Sequence, residues 1–108
     1  MRTQELRAGH RFKAVRELFG LTRKELSSVT GIDSIRIKNY EYLNSKVSED
    51  DFYLMCVFVP EFMAFLTVEG DIKLSELKNS SNSFCQSAAG RIENGLIPDG
   101  YNLQHYIK

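Results

Sequence analysis

Apolar residues in the first two thirds of this chain recur at helical spacing, cut into short runs by glycines and capping residues. Phe12, Val15 and Phe19 fall on one face and predict a helix from about His10 to Phe19, with Gly20 as its stop. Lys13 and Arg11 are expected to face away from the core. Thr22 then reads as an N-cap. Glu25, three residues on, completes a capping box, because hydroxyl and carboxylate each satisfy an orphan backbone N–H. Leu26 and Val29 share the apolar face of this second helix, and Gly31 suits the left-handed conformation that ends it. Ile32 plugs the corner and Asp33 stands where a cap for a third helix belongs. In that helix Ile37 and Tyr40 point inward at i, i+3, which leaves Ser34, Ile35, Arg36, Lys38 and Asn39 outside. The pattern is helix, glycine turn, helix, with a polar outer face on the second helix.

Beyond a loop at residues 42–47, Ser48 predicts the cap of a fourth helix. Glu49, Asp50 and Asp51 in its first turn are favourable against the helix dipole. Residues 52–58 are apolar almost all round, as in a helix buried on several sides. Pro60 suits the first turn of a fifth helix carrying Phe62, Met63, Phe65 and Leu66. Gly70 and Asp71 break this run. One more helical turn is expected over residues 74–78, a polar linker over 79–83 and a short helix around 87–93. Residues 101–107 alternate apolar and polar as a half-buried strand does. The chain thus divides into an arm at 1–8, a helical domain at 9–69 and a C-terminal extension at 70–108. The arm serves either to frame helix 1 or to reach along a nucleic-acid backbone.

Charge changes the picture once the chain is split. The 108 residues carry no formal net charge, which by itself argues against nucleic acid. Through residue 48, however, ten Lys/Arg face five acids, a net of +5, and the remainder carries a net of −5. This asymmetry suggests one DNA-facing and one protein-facing side, the plain alternative being an accident of solvated surface.

Arg11, Phe12, Lys13, Val15, Arg16, Gly20, Leu21, Thr22, Glu25, Leu26, Gly31, Ile32, Ile37 and Glu41 stand in the register of a known pattern. Over about residues 9–66 the chain resembles the phage-repressor and Cro-type (lambda-repressor-like, XRE-type) helix-turn-helix proteins. It departs from them where Arg23 replaces a glutamine, Ser27 an alanine and Asp33 a serine or threonine cap. The resemblance implies an all-α, five-helix DNA-binding bundle, here with a C-terminal extension. It also implies a structural salt bridge between Arg16 and Glu41. Base contacts would come from Ser34, Ile35 and Asn39, with Arg36 and Lys38 flanking. Asn39 suits adenine, Arg36 or Lys38 suits guanine, and Ile35 suits a thymine methyl. Thr22, Arg23, Asn44, Lys46 and Lys13 would hold phosphates, which position without specifying. A homodimer would meet half-sites about 34 Å apart, with the acidic half and the tail as its interface.

The expected function is therefore a sequence-specific transcriptional regulator, a repressor of bacterial or phage type acting on double-stranded operator DNA. The alternative is an antitoxin or antirepressor that binds a protein partner through the acidic C-terminal half. No catalytic residue, cofactor or metal is expected. Ser27, Ser28 and Ser34 have no histidine in a recognisable relation, and Cys56, Cys85, His10 and His105 lack ligand spacing. A cytoplasmic location is expected, because no leader pattern opens the chain and the apolar run at 54–59 is too short to span a membrane.

Overall fold

A computed structural model of the chain describes residues 6–108, so most of the arm expected at 1–8 lies outside the described residues. Seven α-helices follow in order among them: α1 Ala8–Phe19, α2 Arg23–Thr30, α3 Ser34–Glu41, α4 Glu49–Phe58, α5 Met63–Val68, α6 Leu74–Lys78 and α7 Ser83–Glu93. Short 3-10 turns at Pro60–Phe62 and Leu103–His105 complete the regular structure. The architecture is all-α.

α1 is the central element. Phe12, Ala14, Val15, Leu18 and Phe19 are buried along it, and Gly20 ends it in the left-handed region at φ 71°. Gly9 brings α1 against the end of α3. A Cβ at Gly9 would lie 1.9 Å from the carbonyl oxygen of Tyr40, so only a bare backbone fits there. Around α1 one cluster gathers Leu26, Ile32 and Ile37 from the α2–α3 unit, Met55 from α4, and Phe62, Phe65 and Leu66 at and before α5. The same cluster takes in Leu77, Cys85, Ala88 and Leu103, so residues 70–108 share a core with residues 9–69.

The end of the chain differs from the strand its alternation suggests. Leu103 and Tyr106 are both buried, three residues apart around a 3-10 turn, and Ile107 makes a single parallel bridge with Ile72. An apolar pair at i, i+3 fits a tight turn as well as its neighbours fit a strand, and the packing surface decides. The polar stretch 79–83 is likewise structured. Ser80 is buried and donates to Glu61, while the Asn82 side chain caps α7 by accepting from the Phe84 N–H at 2.8 Å. That cap starts α7 at Ser83, four residues earlier than expected.

Four local expectations are corrected. Val29 is exposed, and Thr30 takes the buried place in α2, its hydroxyl donating to the Leu26 carbonyl and accepting from the Ile32 N–H. Asp33 makes no side-chain cap bond to α3. Arg11 does not face away: its Nε donates to the Leu66 carbonyl at 2.9 Å, and its guanidinium also meets the Leu6 carbonyl and Glu69. α4 is not buried on several sides either, since Tyr53 and Val57, one turn apart, are exposed. Among the described residues no single helix is long and apolar enough to cross a membrane.

Candidate nucleic-acid interface

The α2–turn–α3 unit is built by local rules. The Thr22 hydroxyl accepts from the Glu25 N–H at 3.1 Å, and the Glu25 carboxylate accepts from the Thr22 N–H at 2.8 Å. Both halves of the capping box are present, so α2 begins at a defined residue. Gly31, at φ 84°, closes α2 in the left-handed region, where a side chain is strained. Ile32 is fully buried in the corner, and α3 follows with Ile37, Tyr40 and Glu41 turned inward.

Buried charge anchors α3 from two sides. On the α1 side, the Glu41 carboxylate is fully buried and accepts from Arg16 Nε at 2.6 Å and Arg16 Nη2 at 3.0 Å. It also accepts from Arg23 Nε at 3.0 Å, so one carboxylate joins three helices. This pairing holds the Arg23 guanidinium above its ordinary range. On the α4 side, Asp51 accepts from Arg36 Nε at 2.9 Å and Arg36 Nη2 at 3.0 Å, and the Tyr40 hydroxyl donates to the same carboxylate. The Arg36 hydrogen bonds depress the Asp51 carboxyl below its usual range despite burial, with the Tyr40 hydroxyl adding to them. Ser48 places Asp51 by capping its N–H at 3.1 Å.

The candidate base-reading residues stand as follows. Ile35 is 65% exposed, Lys38 is exposed, and Ser34 and Asn39 are half-buried. Arg36 is exposed, yet its Nε and Nη2 are both engaged by Asp51. Of the candidate phosphate residues, Thr22 is exposed at the start of α2, and Asn44 and Lys46 are exposed in the loop after α3. Lys13 is half-buried on α1. Arg23 is tied inward by Glu41 and lies over the Tyr42 ring, 5.2 Å from its centroid. Lys38 Nζ stands 5.9 Å from the same centroid, so Tyr42 gathers two cations at the C-terminal end of α3.

Sequence reasoning missed Asp51, Tyr42 and Gly9 as parts of this surface. Asp51 carried a signal. It lies four residues before Met55, on the buried stripe of α4, where an acid requires a partner. Away from this surface, Cys56 is half-buried and Cys85 is buried. Burial, with a hydrogen bond to Glu61, pushes the Cys85 thiol up to about 12. Set beside known protein families, curated proteins and solved structures, the chain matches none of them.

Proposed function

We propose that this chain is a sequence-specific DNA-binding regulator of repressor type, with a lambda-repressor-like fold, that lays α3 in the major groove as a homodimer. The observation that carries the reading is the two-sidedness of α3. Ile37, Tyr40 and Glu41 are buried against α1, α2 and α4, while Ile35 and Lys38 stand exposed across a glycine turn from a well-capped α2. A helix held rigidly on one face and offering short polar and apolar groups on the other suits reading of base edges. The excess of basic residues before residue 49 supports it, because phosphate attraction supplies most of the non-specific affinity.

Leu103 and Tyr106 are buried in the chain's own core, so they do not remain for a dimer contact. Exposed apolar side chains remain on α4 and α5 at Tyr53, Val57, Met63 and Val68. They favour a protein contact there, either a second copy or, on the alternative reading, the partner of an antitoxin or antirepressor.

Selection of the full chain against a random duplex library, followed by fluorescence anisotropy on the enriched site, tests the proposal. Enrichment of a two-fold site is expected, with affinity falling about 0.9 log units per log unit of salt for each phosphate neutralised. Ile35→Ala and Asn39→Ala should each weaken binding to that site more than to scrambled DNA. Failure to enrich any sequence would overturn the proposal in favour of the protein-binding reading.

A further inference from the structure

We infer that Arg36 is a positioning residue that fixes α3 against α4, and that base reading belongs to the stripe Ile35, Lys38 and Asn39 without it. The inference rests on the DNA-binding reading and refines which residues carry specificity.

The geometry separates Arg36 from its neighbours. Ile35, Lys38, Asn39 and Tyr42 follow at spacings of three, four and seven from Ile35 and form one stripe. Arg36 lies a third of a turn away, on the flank facing α4. There its Nε and Nη2 meet the two oxygens of Asp51 in a fork-to-fork pair at 2.9 and 3.0 Å. The Asp51 side chain is only 3% exposed and is bonded by the Tyr40 hydroxyl as well, so it cannot follow Arg36 outward. A guanine contact made through Nε and Nη2 would need the edge that Asp51 already holds. Such a contact would leave a buried carboxylate short of its cation, which is costly, and the Nη1 edge that remains is tethered with the rest of the group on the α4 flank, off the stripe. Arg36 sets the angle of α3, and an exposed isoleucine, a lysine and an asparagine do the reading.

The test compares base preferences by library selection for the wild-type chain and three variants. Arg36→Met removes the fork. It is expected to enrich the same bases at every position as the wild type, with lower affinity. Arg36→Lys keeps one charged bond and should recover part of that affinity, again with unchanged preferences. Asp51→Asn frees the guanidinium from its charged partner and should add a guanine preference of roughly tenfold or more at one position per half-site, an outcome that loss of rigidity alone would not produce. Circular dichroism and thermal melts show which variants fold, and Arg36→Lys carries the comparison if Arg36→Met does not. Loss of a guanine preference in Arg36→Met or Arg36→Lys, at a position where the wild type has one, would overturn the inference while leaving the DNA-binding reading intact. Failure of the wild type itself to enrich any site would overturn both.

Discussion

Two sets of contacts radiate from α1, and they differ in chemistry. Toward α2 and α3, Arg16 reaches Glu41, which also takes Arg23, and the far side of α3 is closed by Arg36, Tyr40 and Asp51. Toward the 3-10 turn, α4 and α7, Phe19 packs edge-to-face on Phe62, Phe58 and Phe84, with ring centroids 5.3, 5.8 and 6.1 Å apart. Apolar packing is strong and tolerant of shape, so it holds elements together without dictating their angle closely. Forked ionic hydrogen bonds cost desolvation and fix orientation. The forked ion pairs cluster around α3, the one helix whose angle would matter for reading a groove.

The largest expected effect comes from cutting the ionic set at its centre. Glu41→Ala leaves the largely buried Arg16 without its carboxylate and should cost about 3–5 kcal/mol in urea unfolding. Gly9→Ala comes next, since its Cβ meets the Tyr40 backbone and α1 must move away from α3. A loss of roughly 1–3 kcal/mol is expected, measurable as a lowered denaturation midpoint at unchanged slope. On the aromatic side, Phe62→Leu keeps an apolar side chain in place but loses a ring contact, and should cost about 1–2 kcal/mol. If it costs more than Glu41→Ala, the contrast between the two regions fails.

A smaller effect is set by pH. The Asp51 carboxyl is depressed in the folded chain, so its pairing stabilises fully above the unfolded aspartate value, about 3.9. That contribution is lost as pH falls through the lower folded value. Stability of the wild type should therefore drop more steeply below about pH 4 than that of Asp51→Asn, by denaturation at stepped pH. Smallest of all, Ile35→Ala should change stability by no more than about 0.5 kcal/mol, because the side chain is largely solvated, while weakening the DNA binding proposed above.

Much of the helical plan was legible because it is written in short-range chemistry. Gly20 and Gly31 end helices as left-handed caps, and Thr22 with Glu25 and Ser48 with its following turn begin them. Those signals need only three or four neighbouring residues. Asp51 was legible as a helix-start acid, and its buried role was not, because that role depends on Arg36 and Tyr40 from another helix. Arg11 looked like a surface cation until the C-terminal carbonyls of α5 came to meet it. The tail misled for a different reason: a period-two alternation and an i, i+3 pair share residues, and only the available surface chooses between them.

The sequence by itself determined the helical plan of α1 to α5, the glycine turn between α2 and α3 and the polar outer face of α3, since capping and periodicity are local. Tertiary structure decided which charges are spent inside the molecule and which remain exposed. It turned Arg11 and Asp51 inward, drew Arg36 and Arg23 onto buried carboxylates, left Tyr53 and Val57 in solvent and folded the tail onto α1. A buried charge is stable only beside its counter-charge, and where that counter-charge lies is a property of the packed chain.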